Sequence, residues 1–322
     1  MKTTTTLSLI LILTLSCQKN IEEKENFNSN NYSELVRLFK EWRVFEKPPL
    51  LDGVPDYTIE TFEKRWAKFK KLQSGLQYID TTNWAVENKV DWMLVWAEMN
   101  GYDFNHRILK PWTRDPAFYK SVWTYRSDVP AHEGPTHHGT TELWEYSFPL
   151  STQERLRLIS DLKIIAPLNS QAKTNLSGNA KDLWVTGIRD IQRQSKVLSD
   201  LKTKKSIKDD AELVSVIDEA ITSTNDLVIW LNTEAKSKTG PSGIGKSNYS
   251  WYLQNVHLVP LSWDDEVMIL KRELARAWTS LKFEEHRNRN LPELVAVNSP
   301  EAYDKMADAA VKSLINFLDQ QD

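Results

Sequence analysis

Residues 240–261 read Gly-Pro-Ser-Gly-Ile-Gly-Lys-Ser-Asn-Tyr-Ser-Trp-Tyr-Leu-Gln-Asn-Val-His-Leu-Val-Pro-Leu, and the reading of this stretch decides the fold. Residues 240–247 fit the phosphate-cradling pattern G-x-x-x-x-G-K-[ST] without a mismatch. A genuine loop of that kind needs a buried strand to deliver the glycines, N–H groups that wrap phosphate, and a helix starting at the lysine. The segment that leads in, residues 232–239 (Asn-Thr-Glu-Ala-Lys-Ser-Lys-Thr), is polar and reads as the tail of a helix. No hydrophobic strand ending in Asp follows to hold magnesium. Nucleotide binding is therefore not expected. The stretch reads instead as a helix stop, a glycine-rich turn and a new amphipathic segment carrying Tyr249, Trp251, Tyr252, Val256 and Leu258.

Helical periodicity runs outward from this turn in both directions. Ser33 is the expected N-cap of a helix with Leu35, Leu38, Phe39, Trp42 and Phe45 on one face, stopped by Pro48 and Pro49. Thr58 opens a second helix, with Phe62, Trp66, Phe69 and Leu72 on its stripe. Residues 84–102 form a third, expected to end near Gly101 as helices commonly do. Ser151 and Glu154 make a capping box ahead of residues 156–165. Residues 175–201 and 209–234 are long helical patterns around a Lys-rich turn. Ser262 and Asp265 cap residues 266–281, and Ser299-Pro300 opens 301–318 with proline at the first helical position. Residues 294–297 are the one weak strand candidate. The prediction is an all-α, multi-helix array with no substantial sheet.

The first residues give the address. Lys2 precedes a short apolar core over residues 7–15, and Ser16-Cys17 closes it before polar Gln18-Lys19-Asn20. That core is too short to span a bilayer as a permanent helix. A small residue before the chain's only cysteine is the pattern of a lipoprotein signal, with Cys17 acylated as the first mature residue; Leu13 stands one place earlier than usual, with Thr14 behind it. An ordinary secretory signal with a stray Cys is the alternative. Residues 1–16 are then signal, and 17–31, polar and Asn-rich, a disordered tether. Residues 32–322 form the helical domain. Gln18, rather than Asp, after the lipidated cysteine predicts passage to the outer membrane. Net charge is −3 and no long basic block occurs, so nucleic acid is not an expected partner.

Residues 103–150 are expected to form a long loop rich in proline, aromatics and histidine, serving either function or a wrapped satellite core. Within it His132-Glu133-Gly-Pro-Thr-His137-His138 is the sharpest cluster, with His106 upstream. A helical zinc site needs two histidines one turn apart. Here they are five apart across Gly134-Pro135, so His132, His137 and His138 are only weak metal candidates beside a solvated polar turn. Glu284-Glu285-His286, with Arg287 and Arg289, reads as a solvated ionic face. Thirteen tryptophans invite a sugar-stacking reading, yet Trp42, Trp66, Trp96, Trp184, Trp230 and Trp278 fall on helical stripes, which favours core. No catalytic constellation is complete, and no catalytic residue is assigned.

Several steps in order carry a family resemblance. They are Gly53-Val-Pro-Asp-Tyr-Thr58; Trp92 to Glu98, then Leu109-Lys-Pro-Trp112-x-Arg114-Asp115-Pro116-x-Phe118-Tyr119; Ala166-Pro167-Leu168 with Ala172, Asn175 and Leu176; and the 240–261 stretch. Over about residues 50–280 the chain resembles the bacterial domain-of-unknown-function 885 family. That family is similar to helical zinc peptidases of the gluzincin type. Its members are nearly twice this length, and their His-Glu pair and following His lie on a helix of the C-terminal half. No position here matches that motif. The resemblance thus implies a truncated, gluzincin-like helical N-terminal half, without zinc in this chain and inactive alone. Gly240, Gly243 and Gly245 with Tyr249, Trp251 and Tyr252 are the expected ligand groove. The alternative is a non-catalytic surface lipoprotein that binds peptide or polysaccharide through the aromatic loop.

Overall fold

Asn31, not Ser33, caps the first helix: its side chain accepts from the Ser33 N–H at 3.0 Å, and α1 runs Tyr32–Glu46. The protein is described, from a computed structural model, over residues 31–125, 141–292 and 296–321. The signal segment, Cys17, Glu133, His132, His137 and His138 lie outside the described residues. The chain divides into two units, Met1–Trp263 and Asp264–Asp322.

In the first unit α1 is followed by a two-residue hairpin, β1 (Leu50–Leu51) against β2 (Val54–Pro55). Asp52 and Gly53 turn it with φ of 52° and 81°, the positive values that a tight primed turn requires. Thr58 caps α2, Ile59–Gln77, as its position predicts. Then come α3 (Val86–Phe104), a π-turn at Asn105–Leu109, α4 (Pro111–Arg114) and a 3-10 turn at Pro116–Tyr119. β3 (Val122–Trp123) pairs in parallel with β4 (Thr141–Glu142), Val122 opposite Thr141. After them stand α5 (Thr152–Lys163), α6 (Ile165–Asn175), α7 (Lys181–Lys202), α8 (Lys205–Lys208), α9 (Ala211–Glu234) and α10 (Lys246–Asn255). The second unit holds α11 (Trp263–Arg287, whose first residue belongs to the first unit) and α12 (Pro300–Asp319). The fold is all-α, and the two short pairings are the strand content among the described residues.

Two cores flank a middle one. Leu38, Trp42, Phe69, Leu76 and Met99 bring α1, α2 and α3 together. Leu158, Ile165, Leu198 and Ile217 bind α5, α6, α7 and α9. Between them Trp112, Tyr119, Ala172, Trp184, Leu227 and Leu231 make the central cluster. Trp42 and Trp184 are fully buried, each contributing about 1.5–3 kcal/mol or more through apolar burial. Trp278 departs from this pattern at 58 % exposed, so its helical spacing did not make it core.

The 103–150 loop expectation is overturned in its first part. Gly101 does not end α3; it is buried inside it, and helical turns continue almost without break to Tyr119. The physical reason is charge. Asp103 is buried and needs Lys70 (2.6 Å) and Arg107 as partners, and Arg107 reaches it only from the next turn of helix. Lys110, with φ of 46°, then breaks the run. The helix expected from residue 175 begins instead at Lys181. The 175–180 segment leaves helix because Asn175 is spent on tertiary hydrogen bonds and the Ser177 and Gly178 N–H groups both donate to the Thr113 carbonyl, at 3.1 and 2.7 Å. Ala296 and Val297 carry no strand.

Asn175 is 3 % exposed, and its amide donates to the Tyr57 carbonyl at 2.7 Å and to the Tyr119 hydroxyl at 2.9 Å. Removing that donor leaves two buried acceptors short, at a cost of about 2–3 kcal/mol. Asn175→Ala should lower the urea midpoint accordingly with an unchanged slope, whereas exposed Thr186→Ala should stay within about 0.5 kcal/mol of wild type.

Candidate functional site

The glycine turn follows a 3-10 turn at Ala235–Ser237, and its polar groups are satisfied from within the protein. The Asn179 side-chain oxygen accepts from the N–H of Thr239 at 2.7 Å and of Gly240 at 2.6 Å. The Ser242 hydroxyl accepts from the N–H of Asp182 (2.8 Å) and Leu183 (3.2 Å), so it caps α7 from across the chain. The Arg114 guanidinium donates to the carbonyls of Pro241 and Ser242 at 3.4 and 3.3 Å. A helix and a 3-10 turn deliver this stretch, and the N–H of Gly240, the first residue of the motif, is donated to Asn179. Only glycine fits at position 240, because a Cβ there would sit 2.4 Å from the Asn179 carbonyl oxygen. Gly245 needs its freedom for another reason, a φ of 81° at the start of α10. Gly243 faces open space.

The aromatic half of the expected groove packs onto the protein. Trp251 lies parallel to Phe104 with centroids 5.6 Å apart, and the Arg107 guanidinium stands 5.5 Å over its ring. Tyr252 meets Phe104 at 4.8 Å and His257 at 4.9 Å. Tyr249 is half-buried in the first turns of α10. Lys246 places its ammonium 3.7 Å over Trp263. The turn and α10 thus serve as a clasp that ties α7 and α4 to the end of α3.

Around this clasp Tyr119, Asp115 and Gln171 tie neighbouring turns together. Tyr119 donates to the Trp112 carbonyl at 2.8 Å, and burial pushes its phenol far above the usual range. Asp115 caps the 3-10 turn through the Ala117 N–H at 2.9 Å. Burial raises its carboxyl to about 6 against the pull of that hydrogen bond, with Asp190 adding to the rise. Gln171 bridges the Pro55 carbonyl (2.9 Å) and the Tyr57 N–H (2.8 Å).

An open groove of about 330 Å³ lies elsewhere, beside β3 and β4. Leu143, Trp144 and Phe148 form one side and Val197 and Leu201 of α7 the other, with Asp200 and Lys204 at the rim. The Lys204 ammonium stands 4.5 Å over Phe148. Nearby, Lys120 sits 3.9 Å over Trp123, and burial lowers its pKa. Gln194, 1 % exposed, holds this edge by accepting from the N–H of Ser121 (2.7 Å) and Val122 (3.1 Å). Sequence reasoning missed Gln194, since a glutamine inside a helix carries no signal of burial. The groove offers flat aromatic faces with one cation and one carboxylate, which suits stacking and hydrogen bonding to a polar ligand.

Among the described residues no three His, Cys, Asp or Glu side chains gather to hold a metal. His106 stacks flat on Trp66 at 4.0 Å, its Nδ1 buried without a hydrogen-bond partner, and burial lowers its pKa.

Two outcomes follow. Gly240→Ala should destabilise the protein by about 2 kcal/mol or more in thermal unfolding, and Gly243→Ala should be near neutral. Asp115 has a raised folded pKa, so its ionised form burdens the fold fully above about pH 6, and that burden fades as pH falls towards its unfolded value near 3.8. Wild type should therefore gain stability relative to Asp115→Asn between pH 6 and pH 4.

No family model matches the chain, and no curated protein matches it. Among solved structures it is similar to a lipoprotein candidate of unknown function from Shewanella oneidensis, at 15 % identity and a TM-score of 0.50. The match covers 89 % of this chain and 56 % of that one, so the chain spans little more than half the length of that protein. At this identity the likeness is one of fold.

Proposed function

We propose that this chain is an exported lipoprotein, anchored to the envelope through Cys17, that forms the N-terminal helical part of a peptidase-like protein. The observation that supports the lipoprotein part is the fold match, in which 89 % of this chain lies over 56 % of a longer chain that is itself described as a lipoprotein candidate; the peptidase-like part rests on the sequence resemblance. Support also comes from the way the motif residues are used. Tyr57, Arg114 with Tyr119, Asn175 and Ser242 come from the four steps of the resemblance to the domain-of-unknown-function 885 family, and they converge on one joint. A family pattern that builds a joint implies that the fold, rather than chemistry local to it, is what this half contributes.

In this reading zinc, its ligands and the general base belong to polypeptide beyond the positions matched here, and residues 17–322 bind no catalytic metal and cleave nothing alone. Gln18 after the lipidated cysteine favours the outer membrane. A second reading is supported by the groove of Trp144, Phe148 and Lys204: a surface lipoprotein that binds peptide or polysaccharide there without catalysis.

A fatty-acid analogue should label wild type in cells and leave Cys17→Ser unlabelled; equal labelling of both would remove the anchor from the account. Purified residues 17–322 should hold far less than one zinc per chain and show no chelator-sensitive peptide cleavage. One tight zinc lost on replacing His132 or His137 would move the metal site into this chain. Oligosaccharide binding lost in Trp144→Ala, with unfolding unchanged, would favour the second reading.

A further inference from the structure

Within the first unit, α3 is apolar on two sides. Val95 and Met99 face the core. Val86, Val90, Met93 and Leu94 line the opposite side at helical spacing and are between 44 % and 71 % exposed. The same side continues through Ala97, Gly101 and Phe104, and there it is buried. Phe104 lies against Trp251 and Tyr252, and the Asn100 amide donates to the Asn255 carbonyl at 3.1 Å. One stripe is thus covered by α10 over its C-terminal half and left in water over its N-terminal half. Single apolar side chains on a surface are ordinary, but a contiguous patch with a polar rim marks a surface that is covered in use.

Area, charge and attachment each bear on the cover. Four side chains expose only a few hundred Å², well short of the roughly 800 Å² per partner that a stable protein interface buries. A second copy or a globular partner therefore finds too little here, whereas a bilayer sets no such minimum for a chain already held beside it. The rim carries Glu87 and Lys89, one charge of each sign, and Lys89 reaches back to the Thr82 carbonyl at 3.1 Å. Asp91 accepts from the Tyr32 hydroxyl at 2.6 Å. Such a rim suits a zwitterionic surface, since it offers no block of cations for an anionic one. Attachment is the deciding observation. Tyr32, the first residue of α1, meets Trp84 at 5.6 Å as well as Asp91, so the chain from Cys17 joins the first unit beside the open stripe. Residues 18–31 are all that separate that point from Cys17, and at full extension they reach at most about 50 Å.

We infer that, in a chain held at a bilayer through residue 17, the open stripe of α3 settles into the interfacial layer of a zwitterionic lipid surface. The stripe then fixes which side of the first unit faces the membrane, with its apolar side chains about 5–10 Å into the headgroup and acyl boundary. In cells this depends on the Cys17 anchor proposed above, and it is independent of the peptidase resemblance.

Because Cys17 is the only cysteine, the stripe can be tested apart from the anchor. Purified residues 17–322 are coupled through Cys17 to a maleimide lipid in phosphatidylcholine and phosphatidylethanolamine vesicles, which supplies the tether without acylation. A benzophenone amino acid at Met93 should crosslink to lipid. At Ile229, an exposed apolar position on α9, it should not. Val90→Glu should lower the Met93 lipid product about tenfold, with helical circular dichroism and thermal midpoint unchanged. Raised salt should leave that product as it is, because the contact is apolar. Equal lipid products at Met93 and Ile229, a Met93 product within the chain or of doubled mass, or no lipid product at Met93 would each overturn the inference. Fatty-acid labelling in cells reads the anchor separately, so the failure of one is told from the failure of the other.

Discussion

One buried amide organises the first unit. Asn175 ends α6 and spends its side-chain N–H donors on the Tyr57 carbonyl and the Tyr119 hydroxyl, each more than fifty residues away in sequence. An amide this deep is tolerated only when its hydrogen bonds are made, and each is costly to leave open. The bonds therefore dictate what surrounds them. Tyr57 must follow the β1–β2 hairpin closely, Tyr119 must close the 3-10 turn, and the chain after Asn175 must leave helix to free the residue. Gly178, where a Cβ would stand 2.6 Å from the Arg114 side chain, allows that exit to pass tightly against α4.

Arg114 carries the same joint outward. Its guanidinium spans the carbonyls of Leu109, Pro241 and Ser242, while Ser242 caps α7 and Asn179 holds the turn from the other side. The result is a clasp closed by side chains from α4, the 175–180 crossing and the glycine turn. It accounts for a sequence that looks like a nucleotide loop. Glycines and small polar residues are needed wherever backbones approach closely and exchange hydrogen bonds, and a phosphate is only one partner that can demand them.

The longer helices of the first unit were legible because each buries a stripe. Leu35, Leu38 and Trp42 on α1, or Trp184, Ile188 and Ile191 on α7, repeat at helical spacing and lie inside as expected. What stayed hidden was set by tertiary partners. Gly101 resembled a helix end, but Asp103 requires Arg107 from a further turn. Asn175 resembled an ordinary helix start, yet its amide had been claimed by Tyr57 and Tyr119. Trp278 shares the periodicity of Trp42 yet is exposed, with the Lys282 ammonium 5.0 Å over its ring, which spacing cannot reveal. Of the residues expected to line a ligand groove, Gly240 packs against the Asn179 backbone of the protein itself. Trp251 and Tyr252 meet Phe104, a contact that depends on how α10 folds back on α3. The groove lined by Trp144 and Phe148 lies within the 103–150 region singled out for its aromatics, though its far wall, Val197 and Leu201, comes from a helix with no mark of that role.

Native-state hydrogen exchange over residues 179–183 and 239–242 bears most directly on whether the motif residues build a structural joint. The Thr239, Gly240, Asp182 and Leu183 amides are held by Asn179 and Ser242 across the joint. They should exchange only through the same opening that exposes the α7 and α9 core, with one shared free energy approaching that of global unfolding. If Thr239 and Gly240 instead exchange through a local opening of near-zero free energy while α7 and α9 stay protected, the turn is an independent mobile loop. The joint would then not be what these residues serve.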